Sequence, residues 1–243
     1  MSRFYVPPEN VKDSLIHITG EEAHHIKDVM RLKNSDKVVV FDGTGREYSG
    51  FIKESGSKKV TVEIISTKTP SLEKKAEITL AQAIPKKAKM DFIIEKATEL
   101  GVSTIIPLLS ERTVVRLDDE KSRSKVLRWK KIATSAAKQC GRSDIPEVRN
   151  VKKFYFTVDT AENYDLALLA CLSTGTETIR SALSRFETGK IILFIGPEGD
   201  FTPEEIIMAE KSYCRLITLG GLVLKSDTAA ISALSILNNE LSR

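Results

Sequence analysis

Three stretches of this sequence place glycine and apolar residues where a ligand would meet backbone rather than charge. They are Gly196-Pro197-Glu198-Gly199-Asp200, the run from Gly220 through Leu224 to Ala230, and Leu172-Ser173-Thr174-Gly175. Each follows a short apolar run with strand character, and in open α/β sheets ligands bind beyond the carboxyl ends of strands. Gly196, Gly199 and Gly220 would let a ligand approach the main chain closely, and Leu222 and Leu224 offer walls for a flat ring. Tight turns between packed elements use the same glycines, so spacing alone leaves both readings open.

Other chemistries find less support. Gly43-Thr44-Gly45 begins like a dinucleotide fingerprint, but it lies between two strands rather than before a helix, and no GxxxxGK[ST] phosphate loop is present. His24 and His25 are adjacent and cannot share one helix face at ligand spacing, so no metal site is expected. Cys140, Cys171 and Cys214 are widely separated, without a CxxC pair, and suggest neither disulfides nor zinc.

Positive charge is concentrated in one place. From Lys121 to Arg142 there are eight basic residues and no acidic one, whereas the whole chain, with 37 basic and 33 acidic residues, carries only +4. On an ideal helix Lys121, Lys125, Arg128, Lys131, Lys138 and Arg142 fall within an arc of about 140°, beside an apolar face of Val126, Trp129, Ala133, Ala136 and Cys140. With Arg112, Arg116 and the Lys86-Lys87-Lys89 cluster, this stripe suits a surface that tracks phosphates.

The 243 residues, 41% hydrophobic, can bury an ordinary core. No apolar run approaches membrane-spanning length and the amino terminus has no signal-peptide core, so the expected location is cytoplasmic, without membrane association.

The elements that must hold these residues fall into two groups. Lys37–Phe41, Tyr48–Lys53 and Lys59–Ile65 read as strands separated by Asp42-Gly43-Thr44-Gly45 and Ser55-Gly56-Ser57. Thr19 and Glu22 have capping-box spacing, and Ala23, Ile26, Val29 and Met30 recur helically to about Arg31. Ser66–Lys75, with Pro70, reads as a linker. Strands at Ile78–Ile84, Thr104–Leu108, Leu166–Cys171, Lys190–Ile195 and Leu216–Leu219 then alternate with helices at Lys89–Leu100, within Ser122–Cys140, near Thr176–Phe186, from Thr202 and at Thr228–Leu241. The Thr202 helix carries a Thr N-cap, Pro203 at its first position and Glu205 to close a capping box. Such alternation means a mainly parallel sheet covered by helices.

In order along the chain, SRFYV, HHIKDVMRLKNSDKVVVFDGTGREY, IIEKATELGVSTIIPLLSERT, AAKQCGRSDIP, IGPEGDFTPEE and LGGLVLKSDTAA make nearly the whole sequence resemble the small-subunit ribosomal RNA methyltransferase E family of the SPOUT superfamily. The resemblance implies a PUA-like β-barrel for RNA docking over residues 1–70 and an α/β SPOUT domain with a C-terminal trefoil knot over 71–243. It also implies a homodimer, with 16S ribosomal RNA or the small subunit as partner. S-adenosylmethionine would be held largely by backbone, at positions matching Leu172, Gly196, Gly199, Leu219, Gly220, Leu224, Thr228 and Ala229. The family usually has Arg at Leu222 and Lys225, Glu at Asp227 and Lys138, and Gly at Asp200. Leu222 cannot replace a guanidinium.

The implied reaction is methylation of a uridine at N3, which needs an oriented uracil and a group to take the N3 proton. Arg112, Gln139 and Arg142 are the residues expected to orient the uracil and phosphate, with Glu111 or Glu198 as proton acceptor. Lys125, Arg128 and Lys131, together with Arg3 and Arg31, are the expected RNA contacts. A SPOUT enzyme acting on a ribose 2'-hydroxyl or another base, and an RNA-binding assembly factor without catalysis, are the alternatives.

Overall fold

The structure, a computed structural model, describes residues 2–56, 59–69 and 76–242. The chain divides into two compact units. One is Met1–Leu72 with Thr134–Ile145, and the other Glu73–Ala133 with Pro146–Arg243.

The first unit is a six-stranded sheet built from β1 (Arg3–Tyr5), β2 (Val11–Lys12), β3 (Leu15–Thr19), β4 (Lys37–Phe41), β5 (Glu47–Ser55) and β6 (Lys59–Lys68), in the order β1-β4-β5-β6-β3-β2. Only β1 and β4 run parallel among these pairs. Alternation along the strands sends Ile16, Ile18, Val38, Val40, Val60 and Val62 inward around Phe4. Gly50 lies where the β5–β6 register shifts, and a Cβ there would sit 2.3 Å from the carbonyl oxygen of Glu63. Ser66–Lys68 extend β6 into the expected linker, of which residues 70–75 lie outside the described residues.

The capping box expected at Thr19 is not made. Glu22 instead accepts a hydrogen bond from Lys138 at 2.7 Å, which draws its side chain away from the helix start. Helix α1 (Gly20–His24) passes into a π-helical turn over His25–Val29, closed by Met30 N–H on the His25 carbonyl. The extra residue per turn shifts the helical phase. Ala23 and Ile26 are therefore buried, but Val29 and Met30, expected on the same face, are exposed.

Residues 134–145 belong with this sheet because two of the quoted motifs interlock. Gly45 N–H donates to the Ser143 carbonyl and Ile145 N–H to that of Gly43. A Cβ on Gly43 would lie 3.0 Å from Ile145 and 3.2 Å from the Tyr5 ring, which is why the turn needs glycine.

The second unit is an eight-stranded, wholly parallel sheet, in keeping with the alternation. It comprises β7 (Ala76–Ala83), β8 (Thr104–Leu109), β9 (Glu147–Val148), β10 (Lys152–Lys153), β11 (Leu166–Ala170), β12 (Glu177–Thr178), β13 (Gly189–Ile195) and β14 (Arg215–Thr218). Their order is β10-β8-β7-β13-β11-β14-β12, with β9 also on β8. Helices α2 (Lys89–Glu99), α3 (Asp119–Cys140), α4 (Phe154–Val158), α5 (Ile179–Ala182), α6 (Pro203–Lys211) and α7 (Ser226–Leu241) complete the chain. Helix α6 starts as its sequence predicts, with the reciprocal Thr202–Glu205 capping box. Helix α5 is a single turn where a longer one was expected, because Glu177-Thr178 pair with β14 before it begins.

In α3, Val126, Trp129, Ala133 and Ala136 are buried as expected, but Cys140 is exposed. Arg142 falls beyond the helix, after Gly141 with φ of 86°. Cys171 and Cys214 are buried; burial pushes the Cys214 thiol up to about 12, so it stays protonated at neutral pH.

Candidate functional site

The sheet order places β13, β11 and β14 side by side, so the loops after their carboxyl ends converge. They enclose a cleft of about 550 Å³, open to solvent. Of the eight positions expected to hold a cofactor, Leu172, Gly196, Leu219, Gly220, Leu224 and Ala229 line it, whereas Gly199 and Thr228 do not. Leu222, Val223 and Leu172 are 80%, 76% and 62% exposed, leaving an apolar rim at its mouth.

The two cleft-lining glycines serve differently. Gly220 has φ of 122°, and nothing lies within 4 Å of a Cβ built there, so its backbone is open to a ligand. Gly196 lies against the Phe201 ring, 3.3 Å from such a Cβ, and its carbonyl accepts a 2.6 Å hydrogen bond from the buried Ser226 hydroxyl. Ser226 Oγ in turn accepts from Nε2 of buried Gln82 at 2.9 Å. This chain of bonds ties β7, the β13 loop and the start of α7 together. It was not identified from sequence; the signal was an amide amid the apolar run of β7.

Asp200 adopts the left-handed conformation at φ of 59°. Aspartate tolerates this region better than most residues. Here it also joins two loops, accepting from Leu172 N–H at 2.9 Å and from its neighbour Phe201 N–H at 2.8 Å.

The two candidate proton acceptors separate. Glu198 lines the cleft; its carboxylate accepts from Lys86 N–H at 3.2 and 3.4 Å and lies 4.0 Å from Lys89 Nζ. Glu111 is exposed and does not line the cleft; its N–H donates to Glu205 at 2.9 Å. Lys89 also pairs with Asp227 at 3.1 Å. Burial pushes the Asp227 carboxyl up, but the Lys89 hydrogen bond and the backbone N–H groups of Asp227 and Thr228 outweigh it and hold the group below its ordinary value. Arg112 is turned onto the chain itself, donating to the carbonyls of Gly199 at 2.7 Å and Phe201 at 3.3 Å.

The remaining candidates divide by unit. Gln139 and Arg142 belong to the first unit, where Gln139 is exposed and Arg142 grips Asp144 through Nε at 3.2 Å and Nη2 at 2.9 Å. Arg3 is bound to Glu47, the Arg142 carbonyl and Ser143 and lies over the Phe41 ring, so the structure gives it an internal packing role in place of an open cation. Arg31 is exposed with φ of 54°. Lys125 and Lys131 are exposed, Arg128 pairs with Asp91 at 2.6 Å, and Lys138 leaves the expected stripe to bind Glu22. Among the described residues no group of three or more His, Cys, Asp or Glu could hold a metal, and no helix is long and apolar enough to cross a membrane.

Residues 72–238 match the family model for an RNA methyltransferase domain, and residues 18–65 that for an RNA methyltransferase PUA domain. The ribosomal RNA small subunit methyltransferase E of Bacillus subtilis is 31% identical over 91% of this chain and 88% of its own. A Legionella pneumophila methyltransferase, solved with the bound cofactor SAM, is 34% identical, covering 98% of this chain and 97% of that one, with a TM-score of 0.88. Ribosomal RNA small subunit methyltransferase E from Neisseria gonorrhoeae, bound to S-adenosyl methionine, is 27% identical with a TM-score of 0.87, over 99% and 98% of the two chains. The architecture is thus an α/β methyltransferase domain of the SPOUT type preceded by a PUA-like domain. By family model, sequence and fold alike, the chain belongs to the ribosomal RNA small subunit methyltransferase E family.

Proposed function

We propose that the protein methylates N3 of a uridine in 16S ribosomal RNA, using S-adenosylmethionine bound in the cleft beyond β11, β13 and β14. The observation that carries this reading is the cleft itself: open backbone at Gly220 and apolar walls from Leu219, Leu224 and Ala229, at the carboxyl ends of three adjacent parallel strands. S-adenosylmethionine supplies an already activated methyl group. The protein's part is to orient the uracil and to take the N3 proton. Glu198 is the acceptor, since it lines the cleft and Glu111 does not. Arg112 positions the Gly199–Phe201 backbone, while Gln139 and Arg142 act on the RNA side. The exposed cations Arg31, Lys125 and Lys131, with Arg128, meet phosphates. Residues 1–70 dock RNA and 71–243 form the knotted catalytic domain, apart from residues 134–145, which pack with the first unit; the two family models support a division near residue 70. The site of action is the cytoplasm.

Calorimetry should show S-adenosylmethionine binding, and a concentration of 100 times Kd should stabilise the protein by about 2.7 kcal/mol. Mass mapping of 16S ribosomal RNA from cells lacking the gene should lose one methyluridine. No heat and no thermal shift would remove the enzymatic reading.

The active species is a homodimer. Helix α7 offers no apolar face for this, because its Ala230, Leu234 and Leu237 are fully buried within the subunit. Support comes from the apolar rim of Leu172, Leu222 and Val223, which a second copy would cover. Light scattering should give twice the 27.0 kDa chain mass; a monomer at all concentrations would refute it.

A further inference from the structure

A second concavity, of about 650 Å³ and open to solvent, lies where the loop after β7 meets α2 and α3. Its floor is apolar, made of Ile84, Met90 and Trp129, all buried, with Val115 beside them. Its rim carries the side chains of Lys87, Lys125 and Arg128. Among the described residues no carboxylate pairs with Lys87 or Lys125, and Lys87 holds the left-handed conformation at φ of 61° without being glycine. Backbone strain of this kind gathers at ligand clamps.

The one carboxylate in the pocket, Asp91, organises it. Oδ2 accepts from Arg128 Nε at 2.9 Å and Nη2 at 2.6 Å, and Oδ1 accepts from the Trp129 indole N–H at 3.1 Å. Arg128 is thereby fixed in direction while the donors on its other nitrogen stay available, and its side chain is 68% exposed. The loop that forms one wall also borders the cofactor cleft, for Lys86 N–H donates to Glu198 at the cleft's edge.

We infer that this pocket is an RNA subsite, taking a nucleotide of a single-stranded segment next to the uridine being methylated, with the base against the apolar floor and phosphates on Lys87, Lys125 and Arg128. The inference rests on the ribosomal RNA reading above and deepens it. Three cations around an apolar slot match the two faces of a nucleotide, charged backbone and flat base, better than they match a peptide or a lipid. The subsite would fix the register of the strand, so that only one base reaches the cleft.

Trp129 is the only tryptophan of the chain and forms the pocket floor, so its emission reports occupancy directly. The experiment titrates the full-length protein, saturated with the demethylated cofactor, with a single-stranded oligouridylate of about ten nucleotides. Emission should change saturably. In the K87Q/K125Q variant the change should be lost or weakened, and the slope of log affinity against log salt should become shallower by about 1.4, from about 0.7 for each phosphate contact with a single strand. Both lysines are exposed, so an unchanged melting temperature and unchanged cofactor affinity confirm that the variant is folded. Silent emission with an oligonucleotide that binds, or an unchanged slope and affinity in the variant, would overturn the subsite. The same emission change with inorganic phosphate alone would reduce it to a plain anion site and overturn the nucleotide assignment. Methylation of small-subunit RNA by the parent enzyme is measured in parallel. If it is absent, the ribosomal RNA reading fails and the subsite with it; if it is present while the variant behaves as the parent, only the subsite fails.

Discussion

Replacing Phe201 with alanine should destabilise the protein by about 3–5 kcal/mol, and its melting temperature should fall by roughly 6–20 °C. The ring is almost fully buried, lies 4.9 Å from the Phe154 ring within the core beneath the sheet, and meets Gly196 from below. Removing it leaves a cavity directly under the cofactor loop. S-adenosylmethionine affinity should therefore fall together with stability, because the Gly196 turn loses the surface it rests on. Phe201→Leu, which keeps most of the volume, should cost less and retain binding. Scanning calorimetry and cofactor titration of both variants check this. A large drop in stability with unaltered affinity would show that Ser226 and Asp200 alone hold the loop.

Glu198→Gln should leave cofactor affinity within a few-fold of the parent and lower the methylation rate by about 10²–10⁴-fold, the usual contribution of general base catalysis. The amide retains an oxygen to accept from Lys86 N–H, so the loop keeps its shape while losing its proton acceptor. Glu111→Gln should change the rate little, since that side chain lies outside the cleft. Single-turnover methylation with saturating cofactor separates the chemical step from binding. Equal rates for Glu198→Gln and the parent would mean that the N3 proton leaves to water and that Glu198 serves only to shape its loop.

What was legible in the sequence was local. The α6 start carries Thr202, Pro203 and Glu205 within four residues, its capping bonds run between Thr202 and Glu205, and the structure realises them. Thr19 and Glu22 have the same spacing, but a lysine far along the chain competes for the carboxylate and wins, so the same local signal fails. The strands β1, β9 and β10 are two or three residues long and have no periodicity to read; they exist because a neighbouring strand offers an edge. The same distinction runs through the site. The three strand-end loops could be found from glycine and leucine spacing, because sheet order alone brings them together. Engagement of Arg3, Arg128 and Arg142 by carboxylates could not, since an arginine reads identically in sequence whether it faces solvent or an aspartate. The left-handed Asp200 shows the limit most clearly: nothing in its sequence neighbourhood tells that its carboxylate bonds both its own loop and the loop after β11.

The first unit is assembled from two pieces of chain separated by more than sixty residues, Met1–Leu72 and Thr134–Ile145. During synthesis the amino-terminal sheet therefore emerges before the segment that completes it. Until Ile145 has left the ribosome, the Gly43–Gly45 turn lacks its bonds to Ser143 and Ile145, Glu22 has no Lys138, and Arg3 has Glu47 but neither the Arg142 carbonyl nor the Ser143 hydroxyl. Domains ordinarily fold one after another as they are made. Here the nascent sheet lacks these bonds while the first strands of its neighbour are already being translated. The two units are thus coupled in time at birth, and an amino-terminal fragment ending near residue 72 would be a truncated fold rather than a separable module.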